Sequence, residues 1–526
     1  MCARERGWSE VRDTAARATT AALATARSAV RRARRRWRAA TAQQRQTWRL
    51  TAGSATVGLA VALTAVAAAG PWDSGQRTAE RTRAAAREAA GGPGGPALAA
   101  PAPSAPAVLT TLGGGQRTGP RGKNAEPGVP PPPTLAGMAD ALEPMLDDPA
   151  LGPVRTASVM DAASGRQLLD LGSGRAVTPA STIKLATAVA ALSARGPDYR
   201  IETRVVRAGE GRVTLVGGGD PTVTAKQLDQ LAQDTARALR GGGKDGDGKS
   251  GDGPVRVAVG YDTSRYSGPV RHSIGPNENL AAVTPLMVNE GRLDGSRHGP
   301  APRASDPAHE AARQFAARLE KAGVRVTGTA DRPAKAPKGA DELAVHRSAT
   351  VASLVERTLT HSDNDVAEAL ARQTALADGA PASFTGAGKA VRDRLDKLGL
   401  PVKGARFADG SGLSRDDRLP ASLLTRILSQ AAAPQHPQLR TVLTGLPVAG
   451  FTGTLRERYP DAARGAGLVR AKTGTLTGVN TLAGTVVDAD GRQLVFAFMT
   501  TGTTDAHGAQ AVLDKLASSL ANCGCR

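Results

Sequence analysis

The order of elements along residues 134–526 predicts an α/β (α+β) protein built around one principal sheet. Three observations carry this expectation. Strand patterns stand at both ends of the stretch, helical patterns fill its middle, and a block of short strands and Gly-rich turns interrupts it at 201–340. The principal domain is therefore split, with one part at 134–200 and the other at 341–526, and 201–340 reads as an inserted domain.

Each element has its own local signal. Thr156–Met160 and Gln167–Leu171 read as two strands joined by a turn at Ala162-Ala163-Ser164-Gly165. The apolar run from Leu185 to Leu192 reads as a helix, with Pro179-Ala180-Ser181-Thr182-Ile183-Lys184 at its entrance. Inside the insert, Ile201–Val206, Arg212–Val216 and Val255–Val259 read as short strands, Pro307–Lys321 as the one helix, and Gly241–Gly253 as a charged, Gly-rich loop. Helices follow at Val351–Leu359 and Asp365–Leu376, around the turn His361-Ser362-Asp363-Asn364, and again at Leu423–Ala431. Leu468–Leu476 reads as a strand. Asn480–Val487 and Leu494–Thr500 form a hairpin across Asp488-Ala489-Asp490-Gly491, and Gly508–Leu520 closes the chain as a helix.

The N-terminal quarter is of another kind. Residues 1–49 carry thirteen Arg and three acids, a local charge of +10 that is half of the net +20 of the 526-residue chain. Leu50–Gly70 follows without a single charge, and its 21 residues are long enough to cross a bilayer core of ~30 Å. Arginines before the run and few after it orient residues 1–49 to the cytoplasm as an Arg-rich tail, with 50–70 as a transmembrane signal-anchor. Ala67-Ala68-Ala69 also resembles a cleavage site, in which case the protein is secreted. Residues 71–133, with Gly91-Gly92-Pro93-Gly94-Gly95-Pro96 and Pro130–Pro133, cannot bury a core and read as a linker. On either reading the bulk of the chain lies outside the cytoplasm. The positive charge is topogenic, so a nucleic-acid partner is not expected. Of the three cysteines, Cys523 and Cys525 stand at the C-terminal end, where they either oxidise or fray as free thiols. The seven His are scattered and face no Cys pair, so no metal site is expected.

Three short motifs carry the chemistry, in the order Ser181-x-x-Lys184, Ser362-Asp363-Asn364 and Lys472-Thr473-Gly474, and each pattern occurs once. Ser181 and Lys184 leave one helix face three residues apart. A serine hydroxyl becomes a nucleophile only when a base removes its proton, and a lysine with a lowered pKa supplies that base. Ser362 can accept and donate, so it can relay a proton to a leaving amine. Asn364 can bond Lys184 or a substrate amide. Lys472 places positive charge that holds Lys184 neutral and attracts a substrate carboxylate. Thr473 and Thr475 offer hydroxyls to that carboxylate, and Gly474 leaves room for substrate along the strand. The backbone N–H groups of Ser181 and Thr475 would form the oxyanion hole.

This is the motif set of penicillin-binding proteins and class A β-lactamases. Val216-Gly217-Gly218-Gly219-Asp220-Pro221, Val288-Asn289-Glu290-Gly291-Arg292 and Asp409-Gly410-Ser411-Gly412-Leu413-Ser414-Arg415 add to it. Together these residues resemble the D-alanyl-D-alanine carboxypeptidase/endopeptidase family of the penicillin-binding protein 4 type, over roughly Leu135–Leu520. The resemblance implies a penicillin-binding, serine β-lactamase-like transpeptidase fold whose catalytic domain is interrupted by insertion. It also implies a serine-type carboxypeptidase that trims peptidoglycan stem peptides through an acyl-enzyme on Ser181, or cuts D-Ala–diaminopimelate cross-links as a DD-endopeptidase, forms slowly hydrolysed adducts with β-lactams, and needs no cofactor or metal. Two features depart from the family pattern. The 181 residues from Ser181 to Ser362 are short for two full inserted domains, and the membrane anchor is not a general family feature. The competing readings are a β-lactamase on the same fold and a catalytically silent wall-associated scaffold; a complete motif set argues against the latter.

Overall fold

The computed structural model describes residues 133–241, 255–459 and 464–525. The Arg-rich tail, the apolar run Leu50–Gly70 and all but the end of the linker lie outside the described residues, as does most of the Gly241–Gly253 loop. Among the described residues no helix is long and apolar enough to cross a membrane.

The principal sheet is antiparallel and joins the two ends of the chain. Its strands are β1 (Val154–Asp161), β2 (Gln167–Leu171), β10 (Arg470–Leu476), β11 (Val479–Val487) and β12 (Gln493–Thr501), in the order β10-β11-β12-β1-β2. β1 lies beside β12 in register from Val154 opposite Thr501 to Asp161 opposite Leu494. The two-residue period of these strands divides their side chains between two cores. Ala157, Val159, Phe496 and Phe498 face one side, where they pack with α1 (Leu135–Leu146) and α9 (Ala506–Ala521). Met160, Val495, Ala497 and Met499 face the other, against a helical layer. A sheet covered on both faces explains why β11 is buried along all but its last residue.

The helical layer is centred on α2 (Lys184–Arg195), in which every residue from Lys184 to Leu192 is buried. An Ala/Leu/Val helix without a polar stripe has no solvent face, and it is enclosed accordingly by α5 (Val351–His361), α6 (Asn364–Ala377), α7 (Phe384–Lys397) and α8 (Ala421–Ala432). The helix α7 was not read from the sequence. Its N-terminus is set by Ser383, whose hydroxyl accepts from the Gly386 N–H at 3.0 Å.

A two-residue pair, β3 (Ala176–Val177) with β9 (Leu419–Pro420), forms a small sheet of its own. A second large sheet, mixed in direction, is built from β4 (Arg200–Arg207), β5 (Arg212–Val216), β6 (Arg256–Asp262), β7 (Arg325–Thr329) and β8 (Glu342–Thr350), in the order β7-β6-β5-β4-β8, and has its own core. The sequence-based expectation of one helix in this block is wrong, because its described residues form two: α3 (Ala225–Gly241) and α4 (Pro307–Lys321). The reason is topological. β5, β6 and β7 run parallel, and each parallel step needs a crossover. The signal was present, since Leu228, Leu231, Ala232, Thr235, Ala236 and Leu239 are all buried on one face of α3. The sheet also runs to Thr350, ten residues past the limit of 340 drawn from composition.

At the chain end Cys523 and Cys525 pair as a disulfide, with Cα atoms 4.9 Å apart. The Thr134 N–H donates to the Cys525 carbonyl at 2.7 Å, tying the start of α1 to the end of α9.

Candidate active site

The three motifs, more than a hundred residues apart in sequence, meet at the junction of the principal sheet and the helical layer. Ser181 lies on a 3₁₀ turn, Ala180–Ile183, that continues into α2 at Lys184. The sequence placed Ser181 in an α-helical first turn; the tighter 3₁₀ geometry brings residues i and i+3 into line. Lys184 Nζ accordingly donates to Ser181 Oγ at 2.8 Å. Ala180, just before the serine, has φ 45°, an unusual value for a residue with a Cβ.

Ser362 and Asn364 come from the turn between α5 and α6. Ser362 terminates α5 at φ 57°, and Asp363 caps α6, its carboxylate accepting from the Val366 N–H at 3.1 Å. This turn aims Asn364 Oδ1 at Lys184 Nζ, 2.7 Å away, and Ser362 Oγ at Lys472 Nζ, 2.9 Å away. Lys472 also donates to the Thr473 carbonyl at 2.7 Å. The third motif lies on β10, an edge strand that pairs with β11 and on its other side is met at its start, where Arg470 bridges to Val448 and the Ala471 N–H donates to the Pro447 carbonyl at 3.0 Å. Thr475 is exposed on that edge, and Thr473 shares a hydrogen bond of 2.8 Å with the Thr454 hydroxyl.

Gly474 has a different steric duty from the one expected. A Cβ there would run into the Thr481 hydroxyl, the Pro179 carbonyl and the Ala180 methyl. The missing side chain thus lets β10 close onto the turn that carries Ser181, and this packing sets the distance between the first and third motifs.

Several site groups were not named from the sequence. The Ser411 carbonyl accepts from Lys184 Nζ at 2.5 Å and completes its three partners. The segment Asp409–Arg415, singled out in the sequence as a motif without a role, supplies this carbonyl. Its loop is held by buried carboxylates: Asp409 accepts from the N–H groups of Ser411, Gly412 and Ser414, and Glu368 from those of Gly410 and Ser411. Gly412, at φ 86°, fits where a Cβ would strike the Ala180 carbonyl. Asn279, from the second-sheet region, accepts from Asn364 Nδ2 at 3.0 Å.

Both lysines are fully buried, and this governs their charge. Burial pulls the Lys184 ammonium down to about 8, although Asp409, Asp363, Glu368 and Asp417 act in the opposite direction. Lys472 is pushed well below the ordinary lysine range, by burial first and by Lys184 second. The sequence-based picture of Lys472 as the charge that holds Lys184 neutral is therefore revised. Desolvation is the first cause for both.

The arrangement presents a hydroxyl hydrogen-bonded to an amine of lowered pKa. A second hydroxyl–amine pair stands beside it, and an open strand edge runs alongside. It is equipped for acyl transfer through Ser181. A cavity of about 1100 Å³ lies elsewhere, between α1 and α9, and no motif residue lines it.

The D-Ala-D-Ala carboxypeptidase 3 (S13) family model matches residues 138–272 and 269–523. Carboxypeptidase Rv3627c of Mycobacterium tuberculosis is 37% identical over 439 residues, 78% of this chain and 92% of its own. Carboxypeptidase DacB of Mycolicibacterium smegmatis is 36% identical over 425 residues, covering 76% and 88%. The crystal structure of penicillin binding protein 4 from Haemophilus influenzae superposes with a TM-score of 0.59 at 22% identity, over 73% of this chain and 98% of that one, which establishes likeness of fold.

Proposed function

This chain belongs to the D-Ala-D-Ala carboxypeptidase 3 (S13) family, and on that premise we propose that Ser181 is the nucleophile of a serine-type carboxypeptidase acting on peptidoglycan stem peptides. The observation that carries the reading is the 2.8 Å hydrogen bond between Ser181 Oγ and a fully buried Lys184 whose pKa is lowered to about 8. In its neutral form Lys184 keeps its two N–H bonds to the Asn364 Oδ1 and the Ser411 carbonyl and turns its lone pair to the serine proton.

The substrate lies along the free edge of β10, its C-terminal carboxylate beside Lys472, Thr473 and Thr475. That carboxylate restores the positive charge which burial removes from Lys472. Ser181 Oγ attacks the carbonyl of the penultimate D-alanine while Lys184 takes its proton, and the N–H groups of Ser181 and Thr475 receive the oxyanion. The C–N bond then breaks. The leaving amine takes the proton that Lys184 accepted, relayed through Ser362, which Lys472 holds at 2.9 Å, and free D-alanine departs. Water hydrolyses the ester on Ser181 and regenerates the hydroxyl. A β-lactam enters the same sequence at the attack step; its cleaved ring stays attached, so no leaving group vacates the site for water. A β-lactam complex of the Haemophilus influenzae protein is in keeping with this.

We also propose that Leu50–Gly70 anchors the chain in the membrane with residues 71–133 as spacer and the catalytic part outside the cytoplasm. The support is the 21-residue uncharged run after thirteen arginines.

Gel labelling of the full-length chain with a fluorescent penicillin, beside Ser181→Ala, tests the assignment. A stable band in the parent that vanishes in the variant is expected. A band that survives in Ser181→Ala names the wrong nucleophile, and rapid turnover of penicillin would make the protein a β-lactamase.

A further inference from the structure

Behind the Ser362–Asn364 turn lies a buried ion network that the chemistry above does not use. Its centre is Glu290, whose side chain is fully buried. Asn289 and Glu290 both take positive φ, 47° and 55°. A non-glycine pair in this region costs free energy and persists only where its surroundings enforce it. Here the backbone is pinned: the Asn289 and Glu290 N–H groups donate at 2.8 Å to the carbonyls of Val223 and Pro221.

The side chain of Glu290 faces the second motif. One carboxylate oxygen accepts from Arg357 Nη2 and the other from Arg292 Nε at 2.7 Å. Arg357, on α5, turns its Nε to Asp363 Oδ2 at 2.8 Å. Asp363 stands between Ser362 and Asn364 and caps α6. On the far side of Asn364, Asp365 accepts from Arg303 at 2.8 Å and from the Ala281 N–H at 3.0 Å. Of the two carboxylates that flank Asn364, Asp365 is held directly from the second-sheet region, by Arg303 and the Ala281 N–H, whereas Asp363 is held by Arg357 of α5, which Glu290 holds in turn. Glu290, Asp363 and Asp365 lie close enough together to hold a cation, but three guanidinium groups already meet their oxygens, and burial beside Asp363 pushes the Glu290 carboxyl up to about 8.

We propose that Glu290 is a positioning residue for acyl transfer. Through Arg357 and Asp363 it fixes where Ser362 Oγ meets Lys472 and where Asn364 Oδ1 meets Lys184. The Val288–Arg292 stretch, which the site chemistry leaves without a task, gains one: it couples the inserted region to the second motif. The inference rests on Ser181 being the acylated residue. Arginine is suited to the link because its fork can engage two carboxylates at once, which a lysine cannot do with the same geometry.

The test is the acylation kinetics of the full-length chain with a β-lactam. The rate constant, the non-covalent dissociation constant and the fraction of protein that labels are each measured. For Glu290→Gln the rate constant is expected to fall about 10²-fold, the scale set by a displacement of about 1 Å, with full labelling and little change in dissociation constant. Adding Glu290→Gln to Arg357→Gln is expected to change the rate within about twofold of Arg357→Gln alone, because the two act through one link. A parental rate constant in Glu290→Gln overturns the proposal. So does a reduced labelling fraction at parental rate, which marks a purely structural role. If Glu290→Gln does not fold, Arg357→Lys carries the same thresholds. A parent that does not label, or a Ser181→Ala variant that does, overturns the assignment of the nucleophile and this inference with it. A parent that labels normally beside an unaffected Glu290→Gln overturns this inference alone.

Discussion

Asn364→Asp is the sharpest probe of Lys184 as the base, because it changes one atom's chemistry and adds a charge at a known place. Asn364 Oδ1 lies 2.7 Å from Lys184 Nζ. A unit negative charge at that distance stabilises the ammonium by about 1.5 kcal/mol at a water-like dielectric and about 6 kcal/mol at an effective value of 20. These bounds correspond to a rise of about 1 to 4 pKa units. In the parent, with Lys184 near 8, the neutral amine is about one-tenth of the population at pH 7 and about nine-tenths at pH 9. Acylation by a β-lactam should therefore rise about tenfold over that interval. The sign for the variant follows directly. A raised pKa leaves more ammonium at any pH, so at pH 7 the rate falls about tenfold or more, and the midpoint of the profile moves up by at least about one unit. Stopped-flow acylation from pH 6 to 10 reads both quantities. A lowered plateau with an unmoved midpoint would mean that Asn364 matters only as a hydrogen-bond partner, and a rate that falls with rising pH would remove Lys184 as the base.

Lys472→Met should discriminate between substrates. A peptide whose terminal carboxylate is amidated should react about 10- to 100-fold more slowly than the acid with the parent, and nearly equally with Lys472→Met, when D-alanine or D-alaninamide release is followed. Gly412→Ala places a Cβ at φ 86° against the Ala180 carbonyl; it should cost about 3 kcal/mol in urea unfolding and lower the labelled fraction, whereas an unchanged midpoint would contradict the close approach of the two segments.

Much of this protein is legible without coordinates, and the pattern of what is missing has a physical basis. The strands at both ends of the globular region announce themselves as short apolar and β-branched runs between turn residues, and β1, β2, β11 and β12 follow the sequence-based limits closely. The helix α3 was missed although its apolar face is regular; of this stretch only the Gly-rich loop at Gly241–Gly253 was read. Parallel pairing of β5 with β6 demands that helix, but pairing direction is a property of the folded sheet.

The sequence by itself determined the chemistry-bearing residue types: Ser181 with Lys184 three positions on, Ser362 with Asn364 around a turn, and Lys472 ahead of a glycine on a strand. Local spacing carries these, since i and i+3 share a face on any tight helix. The tertiary structure decided how they act. It brings Lys472 to Ser362 across 110 residues and supplies a third partner for Lys184 in the Ser411 carbonyl, a group that every residue has and no sequence pattern marks. It enfolds both lysines so that burial sets their charge, and desolvation depends on the atoms that surround a group once the chain has closed. The turn that holds Ser362 and Asn364 is fixed from behind by Glu290, 72 residues earlier than Ser362, because an ion network is defined by three-dimensional proximity and not by order along the chain.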